Sequence, residues 1–387
     1  MLVPKLRFKE FKNEWKKIKL KDISTDISYG MNSASTEFDG INKYIRITDI
    51  DEETSLYSNN PVSPLGNLDD KFLVKENDIL FARTGASTGK SYLYSKVDGK
   101  LYFAGFLIRA NIKKDYNSRF IFEQTKLSKY NNWIKIMSIR SGQPGINSIE
   151  YGNYEFSITH FEEQNKIANL INLLNKKIEL QQRKIDALKI YKKGLIQKIF
   201  NSEYNNCMKI EELVLQKSTR NSKNEIKDVY SVSNKDGFIL QSEHFKDRMV
   251  ASEDTTNYKI IEKDDFAYNP ARINVGSIAR MKKNTNGIIS PMYICFKCNK
   301  KILPEYLEYF FESPKFIYEM NKRLEGSVRM CLSYESMINI PIELPDKKEQ
   351  EKISNILNIL DKKVYQEEKR YTRLNEIKKG LLQKMFV

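Results

Sequence analysis

The sequence predicts an α+β protein in which two mixed α/β domains are separated by two long helices that pair as an antiparallel coiled coil. The first observation is an internal repeat: residues 163–200 align with 349–386 without a gap, and 17 of the 38 positions are identical. The second is a heptad pattern of apolar residues in both copies. The third is a faint similarity between the segments that precede them. Together these observations indicate a duplicated module with pseudo-two-fold symmetry.

The repeat also predicts the domain boundaries. The first mixed domain takes residues 1–158, and a central helix takes residues 159–200. The second mixed domain takes residues 201–345, with a short polar linker at 201–207, and a distal helix takes residues 346–387. The two helices are nearly copies while the domains have diverged. This pattern predicts a shared scaffold that carries two different recognition domains.

Composition indicates the class of partner. The 387 residues carry a formal net charge of +15 and include 40% hydrophobic residues, enough for real cores. Such a charge favours a polyanionic partner, with nucleic acid first and an anionic membrane surface second. No apolar stretch approaches the roughly 18–20 residues that span a bilayer. Four cysteines, none before Cys207, do not form a disulfide framework. We therefore expect a cytoplasmic protein.

The repeated segments are predicted to be helices with a seam for a partner helix. The seam is polar at the same two places in each copy, Gln181/Glu367 and Lys192/Lys378. Capping boxes at Thr159 and Asp346 start the helices. The residues predicted to pair the helices are the apolar ones along the seam: Ile171, Leu174, Ile178, Ile185, Leu188, Leu357, Leu360, Val364, Leu374 and Leu381.

Chain geometry favours antiparallel pairing. A 38-residue helix spans about 57 Å, whereas the domain between the helices has an expected radius of gyration of about 14 Å. Only the short linker separates the first helix from that domain. A parallel arrangement would require the domain to carry the chain back along the whole helix. Antiparallel pairing therefore predicts the two domains at opposite ends of a rod.

The sequences of both mixed domains predict short strands with a few helices. Runs rich in β-branched and aromatic residues predict strands at 43–50, 77–83, 100–110 and 287–297. Helices are predicted at about 118–138 and 304–324. The segment "NDILFARTGASTGK" (77–90) aligns with "DDFAYNPARINVGS" (264–277), matching Asp78 with Asp265 and Gly89 with Gly276. The two domains are therefore expected to share one fold.

No catalytic constellation is apparent. "TGASTGKS" (84–91) resembles a phosphate-binding loop, but its glycine spacing is wrong and a hairpin-like segment follows instead of a helix. Cys295 and Cys298 form one CxxC pair without a second, and the first domain has no cysteine. A metal requirement of the fold is therefore excluded. His160 and His244 are isolated, so we expect a non-catalytic chain with no metal site.

Four segments carry a resemblance to a known family: "LRFKEFKNEWKKIKLKDI" (6–23), "IRITDI" (45–50), "NDILFARTG" (77–85) and "INIPIELPDKKEQEKISNILNILDKK" (338–363). With these segments in this order, the chain resembles the specificity subunit of type I restriction–modification systems over its whole length. The resemblance implies two target-recognition domains, each of which reads one half of a bipartite, asymmetric site in double-stranded DNA. It implies helices that set the spacer between the half-sites.

The resemblance also implies partners. Two modification subunits dock on the helices and methylate adenine with S-adenosylmethionine, and restriction subunits add ATP- and Mg-dependent translocation and cleavage. No cofactor is expected in this chain. Two alternatives remain open at this stage. One is a coiled-coil scaffold, which does not need two diverged basic domains. The other is an RNA-binding protein, which favours paired aromatic residues on exposed strands.

Candidate DNA-binding residues are polar side chains on predicted loops, because arginine and lysine pair with guanine, and asparagine and glutamine pair with adenine. In the first domain the candidates are Asn32, Ser33, Arg83, Lys90, Arg140, Gln143 and Asn147. In the second domain they are Ser218, Arg220, Asn221, Arg272, Asn274 and Arg329.

Overall fold

The computed structural model divides the chain into two compact units. Unit 1 comprises Met1–Gln181 and Arg370–Val387, and unit 2 comprises Gln182–Lys369. Each unit therefore contains one mixed domain with parts of both long helices. The structure describes residues 2–58, 60–202, 204, 206–234, 236–244, 254–326 and 330–387, with the backbone alone at 243 and 244.

Among the described residues up to 200, the structure has ten strands and five α-helices. The strands are β1 (Lys16–Lys19), β2 (Ser24–Tyr29), β3 (Ser35–Thr36), β4 (Lys43–Ile45), β5 (Ser63–Pro64), β6 (Asp78–Ala82), β7 (Ser91–Leu93), β8 (Leu101–Phe103), β9 (Leu107–Ile112) and β10 (Glu155–Ile158). The helices are α1 (Leu20–Ile23), α2 (Ser118–Gln124), α3 (Ser128–Met137), α4 (Ser148–Gly152) and α5 (Phe161–Phe200).

Among the described residues after 200, the structure has another ten strands and five helices. The strands are β11 (Cys207–Lys209), β12 (Val214–Gln216), β13 (Val229–Ser233), β14 (Gly237–Leu240), β15 (Lys259–Ile261), β16 (Phe266–Tyr268), β17 (Ile278–Arg280), β18 (Gly287–Ile289), β19 (Ile294–Cys298) and β20 (Pro341–Glu343). The helices are α6 (Gln241–His244), α7 (Pro304–Phe311), α8 (Pro314–Asn321), α9 (Tyr334–Ile338) and α10 (Lys347–Met385).

The sheets confirm that the two mixed domains share one fold. A four-stranded sheet in unit 1 has the order β2-β9-β6-β7, and its counterpart in unit 2 has the order β12-β19-β16-β17. Asp78 and Asp265 occupy equivalent places, because each accepts a hydrogen bond from the backbone three residues earlier, Lys75 N at 2.7 Å and Glu262 N at 2.8 Å. The faint sequence similarity therefore marks real structural equivalence.

In unit 1 the start of α5 and the end of α10 share one hydrophobic core. Ile167 and Ile171 pack in the same cluster as Leu382, Met385 and Phe386. The Phe386 ring stacks on Phe120 of α2, with 5.0 Å between centroids. Because the first turns of one helix meet the last turns of the other, the helices run antiparallel here.

Unit 2 repeats this arrangement with the helices exchanged. Ile196 and Phe200 at the end of α5 pack in one cluster with Ile353 and Leu357 near the start of α10. The Phe200 ring lies 5.1 Å from that of Tyr306, the residue equivalent to Phe120. The repeated phrases "YKKGLIQKIF" and "IKKGLLQKMF" thus end each long helix on a phenylalanine that fills a domain core.

A glutamine repeated in both copies fixes the start of each long helix to its mixed domain. The buried Gln164 accepts a hydrogen bond from Asn117 N at 2.9 Å and donates one to Thr159 O at 2.7 Å. Gln350 does the same with Leu303 N and Pro345 O, both at 2.9 Å. The two glutamines, the two N–H donors and the two carbonyl acceptors are each separated by 186 residues, the offset of the repeat. These bonds explain why the two glutamines are identical.

Several predicted strands are shorter than expected. The strand predicted at 43–50 ends at Ile45, because the Asp49 carboxylate bonds the backbone and guanidinium of Arg46 and a 3-10 turn follows. The run at 100–110 is two strands, β8 and β9, separated by a turn in which Leu107 N donates to Ala104 O. The run at 287–297 also divides, into β18 and β19. Apolar continuity therefore did not reveal these turns.

Both predicted helices of the mixed domains are broken in two. In unit 2 the break falls at Ser313, whose hydroxyl accepts from Phe316 N at 3.1 Å, and Pro314 then starts a new helix. A proline disfavours helical geometry in the residue before it, so this break is visible in the sequence. In unit 1 the hydroxyl of Thr125 instead bonds Phe122 O and Ser91. That break depends on a tertiary contact.

Two local predictions were wrong. The segment at 91–103 is not a hairpin, because β7 pairs with β6 whereas β8 lies parallel to β4 in another sheet. At the start of α5 the Thr159 hydroxyl donates to the Glu163 carboxylate instead of capping the first turn as predicted. At the start of α10 the N-cap half of the predicted box is present, since Asp346 accepts a hydrogen bond from Glu349 N at 2.9 Å.

Candidate nucleic-acid interface

In unit 1 two loops that carry candidate residues are joined to each other. We call residues 83–90 and 138–147 the first loop pair. Ile146 N donates to Arg83 O at 2.9 Å, and Gly85 N donates to Pro144 O at 2.9 Å. The structure thereby brings together two segments that lie far apart in the sequence.

Unit 2 has an equivalent second loop pair, residues 270–277 and 323–332, of which 327–329 lie outside the described residues. Leu332 N donates to Pro270 O at 3.1 Å, which repeats the bond between Ile146 and Arg83. The matched glycines Gly89 and Gly276 both have positive φ angles, 93° and 88°. The two units therefore share one cross-loop bond and one glycine of positive φ, while Arg272 N, at the place of Gly85 N, donates to Asn269 O within its own loop.

Five candidates lie on the first loop pair: Arg83, Lys90, Arg140, Gln143 and Asn147. The half-buried Arg83 places its guanidinium 4.8 Å from the centre of the Tyr29 ring. The exposed Gln143 lies over Gly85, so that a Cβ built on that glycine would be 3.0 Å from Gln143 Nε2. Lys90 is paired with Glu52 at 2.8 Å. The structure thus brings Arg83 and Gln143 to the same loop pair.

Among the other candidates of the first domain, Arg140, Asn147 and Ser33 form hydrogen bonds within the protein. Arg140 binds both carboxylate oxygens of Glu150, at 2.6 and 2.7 Å. Asn147 caps α4 by accepting from Glu150 N at 2.9 Å. Ser33 donates to a backbone carbonyl, and Asn32 is exposed in the loop that follows β2. Contact of any of these residues with DNA stays a prediction.

In unit 2 the candidates fall into two groups. Arg272 and Asn274 are exposed on the second loop pair, while Ser218 and Arg220 are exposed after β12. Asn221 is buried, and its amide bonds both the N–H and the C=O of Ile226, at 3.2 and 2.9 Å. It therefore shapes its loop. The candidate Arg329 lies outside the described residues.

Sequence reasoning missed two aromatic residues beside the first loop pair. The Tyr29 hydroxyl accepts from Ser148 N at 3.1 Å, and the exposed Phe106 accepts at its carbonyl from Arg83 N at 3.1 Å. Partial burial would raise the pKa of Tyr29, but the Ser148 bond and the charge of Arg83 outweigh burial and lower that pKa. The sequence signal beside Tyr29 is Gly30. Only glycine fits at this strand end, because a Cβ there would lie 2.2 Å from Ala104 O.

The residues predicted to pair the helices all lie at least half-buried. Ile171, Ile185 and Leu357 are fully buried, and the other seven are intermediate: Leu174, Ile178, Leu188, Leu360, Val364, Leu374 and Leu381. The seam analysis missed Ile196 and Leu382, which are buried one position after seam leucines. At the helix ends the packing partner is a mixed domain, so the buried stripe rotates away from the heptad seam.

A charged network surrounds one polar seam position in unit 2. Lys192 binds Glu312 at 2.9 Å and Asp361 at 2.6 Å, and its ammonium lies 5.1 Å from the centre of the Tyr309 ring. Burial lowers the pKa of Lys192, but the carboxylates outweigh burial and raise that pKa above its ordinary value. The polar residue in the seam is thus neutralised by the domain it faces.

The equivalent place in unit 1 has other chemistry. Lys126 stands where unit 2 has Glu312, and its ammonium donates to Ser55 at 2.6 Å and to Ser91 at 2.9 Å. Burial, with the charge of Lys378, lowers the pKa of Lys126 to about 8, although Glu123 opposes the shift. The equivalent helix residues Lys192 and Lys378 therefore face opposite charges on the mixed domains, a carboxylate at Glu312 and an ammonium at Lys126.

No metal site is found within the described parts of the chain: they contain no group of three histidine, cysteine or acidic side chains that could hold an ion. Burial raises the pKa values of Cys295 and Cys298 to about 12, which keeps both thiols protonated. Over the same residues, none of the helices is both long and apolar enough to cross a membrane.

A pair of joined loops that recurs in both units, each with parts of the same two long helices, defines a class of proteins built from a duplicated module. A family model described as the type I restriction modification DNA specificity domain matches this chain twice, at residues 12–189 and 206–379. The chain therefore belongs to the family of type I restriction–modification DNA specificity proteins, and its function is DNA sequence recognition.

Solved structures agree in fold. The crystal structure of a type I restriction–modification S subunit from M. genitalium is similar with a TM-score of 0.63 and 18% identity, covering 100% of this chain and 99% of that chain. A structure that describes complex assembly and conformational transition of the type I R-M system gives a TM-score of 0.57 at 12% identity, covering 96% and 97%. The predicted fold class is thus confirmed over the full length.

Proposed function

We propose that the chain is a non-catalytic subunit that recognises a bipartite, asymmetric site in double-stranded DNA, with one half-site for each loop pair. The observation that carries this proposal is the change of side chains on two loop pairs that share a cross-loop bond, Ile146 N to Arg83 O and Leu332 N to Pro270 O. Pro270 in unit 2 stands where unit 1 has Arg83, and Arg272 stands where unit 1 has Gly85. Between residues 83–90 and 270–277 only Gly89 and Gly276 are identical, so the other seven positions of these loops carry different side chains. Such a pattern suits two different base sequences.

The long helices set the distance between the two half-sites in this proposal. Helix α5 is continuous from Phe161 to Phe200, with residues up to Gln181 in unit 1 and the rest in unit 2. Gln164 and Gln350 fix the helix starts, and Phe200 and Phe386 fix the ends, each within a mixed domain. A helix fixed at both ends transmits a defined length, and the number of base pairs between half-sites follows from it.

The helices also offer surfaces for two copies of one partner. Exposed apolar residues recur at equivalent positions, Leu173 (64% exposed) with Ile359 (64%) and Tyr191 (61%) with Ile377 (44%). Unit 1 contains Leu173 and Ile377, and unit 2 contains Ile359 and Tyr191. Each unit thus carries one member of both pairs. Two modification subunits, one docked on each unit, would cover these residues.

Cofactors belong to the partners in this proposal. The modification subunits bring S-adenosylmethionine, and restriction subunits bring ATP and Mg. The chain itself supplies sequence recognition and the docking surface, and it acts in the cytoplasm where these subunits meet chromosomal DNA.

Exchange of one domain tests the independence of the two half-sites. We expect that replacing residues 24–150 with the corresponding segment of a relative changes one half of the methylated motif, while the half read by residues 214–336 persists. Sequencing of modified bases in cells that carry the complex measures both halves at once. The reciprocal exchange of 214–336 is the matched control. A change in both halves from one exchange would contradict independent domains, and a scaffold without DNA specificity would give no motif at all.

Dependence on partners is a second test. Purified chain mixed with S-adenosylmethionine and site-containing duplex is expected to transfer no methyl group, because catalysis resides in the modification subunit. Addition of a cognate modification subunit should restore adenine methylation, measured with a tritiated methyl donor. Robust methylation by the chain alone would reject the non-catalytic assignment.

A further inference from the structure

Arg83 differs from several other arginines of the described chain in what its guanidinium contacts. Six others bind carboxylates: Arg7, Arg46, Arg109, Arg140, Arg280 and Arg323. Over the residues that the structure describes, no carboxylate lies within ion-pair distance of Arg83. Its guanidinium lies over the Tyr29 ring at 4.8 Å. The positive charge and the N–H donors of the Arg83 guanidinium are therefore free for a ligand.

The backbone around Arg83 is held on both sides. Its N–H donates to Phe106 O at 3.1 Å, and its carbonyl accepts from Ile146 N at 2.9 Å. Tyr29 is held as well, because it ends strand β2, pairs with Ile108 in the sheet, and accepts a hydrogen bond from Ser148 N. A ring fixed in this way limits the rotamers of the arginine above it. The guanidinium is thus preorganised before any ligand arrives.

A preorganised guanidinium suits an acceptor with two parallel lone pairs. In DNA that chemistry is offered by guanine O6 and N7 in the major groove and by backbone phosphate oxygens. The repeat favours guanine. A residue that only positions the backbone serves both half-sites equally, yet unit 2 has Pro270 at this place, which has no side-chain donor. Arg83 therefore belongs to what distinguishes the two half-sites.

We propose that Arg83 reads a guanine in the half-site of unit 1, and that Tyr29 is the positioning residue that holds its guanidinium for this contact. This inference rests on the proposed function and specifies one base contact within it. Neither the family match nor the fold assigns a base to this position.

Conservative variants separate the two roles. Arg83→Lys keeps the charge but loses the planar pair of donors, Tyr29→Phe keeps the ring, and Tyr29→Leu removes it. Each variant is assembled with modification subunits, and methylation is measured on a library of duplexes randomised over the site. The half-site of unit 2 reports in the same reaction that the protein is folded and assembled. Arg119→Lys, the same replacement on α2, is the matched control.

We expect Arg83→Lys and Tyr29→Leu to relax one guanine position of one half-site, with discrimination lowered roughly 5- to 150-fold. Tyr29→Phe and Arg119→Lys should retain the motif. If Arg83 contacted only a phosphate, Arg83→Lys would leave the methylated motif unchanged, because lysine keeps the positive charge and a phosphate contact carries no base preference. That result would overturn the proposal, as would a wild-type half-site without guanine. Loss of any bipartite motif in the wild-type complex would reject the proposed function instead.

Discussion

Insertion of four residues into both long helices, after Lys184 in α5 and after Arg370 in α10, is expected to lengthen the DNA spacer by one to two base pairs. The two positions are equivalent in the repeat, and each lies beside the point where its helix passes from one unit to the other. Four residues add about 6 Å of helix, and one base pair rises about 3.4 Å. Both half-site sequences should stay unchanged.

Matched insertion is needed because each helix is fixed at both of its ends. Lengthening α5 alone would displace its last turns, including Phe200, from a core that α10 also enters. Four residues rotate the helix by only about 40°, because four times 100° is close to one full turn. The seam can absorb such a change as a stutter.

A two-residue insertion at the same two places is the control for this experiment. It rotates the seam by about 200°, so apolar seam residues would face solvent and assembly should fail. The readout is the methylated motif of the reconstituted complex, which gives half-sites and spacer together. An active four-residue variant with an unaltered spacer would show that the helices do not set the distance.

The sequence predicted the parts of the fold that depend on periodicity and repetition. The seam residues Ile171 and Leu357 are buried as the heptads indicated, and the shared ends Phe200 and Phe386 fill equivalent cores. The break between α7 and α8 could also be predicted from the sequence, because Pro314 cannot continue a helix. Local chemistry decides these features, so one chain suffices to predict them.

Features that depend on contacts between distant segments were not predictable. The break after α2 requires the bond between Thr125 and Ser91, and the position of Arg83 requires the Tyr29 ring from another strand. Candidate loops were identified from residue type, but residue type does not distinguish a free side chain from a bonded one. Residue type points to Asn221 and Arg140 as much as to Arg83, yet the side chains of Asn221 and Arg140 are bonded within the protein.

Identity between the two copies does not guarantee an identical role. Glu163 and Glu349 are the same residue at the same repeat position. Glu163 is fully buried, and Arg7 donates to both of its carboxylate oxygens, at 2.7 and 2.8 Å. Glu349 is partly exposed, with 41% of its side chain accessible, and pairs with Lys352 at 3.3 Å. The difference arises because the segment that contains Arg7 packs on the start of α5.

Arg7→Met is therefore expected to lower the free energy of unfolding of unit 1 by about 3–5 kcal/mol, because it leaves the Glu163 carboxylate buried without its cation. For a unit of this size the loss corresponds to a melting temperature lower by roughly 6–20 °C. Scanning calorimetry of the full chain measures it.

The double variant Arg7→Met/Glu163→Met should recover most of the loss, since it buries no unpaired charge. Glu349→Met, the matched control, should change stability by no more than about 0.5 kcal/mol, as surface substitutions do. Equal losses from Arg7→Met and Glu349→Met would contradict a distinct role for the buried pair. A double variant no more stable than Arg7→Met would show that the loss comes from packing instead of the unpaired charge.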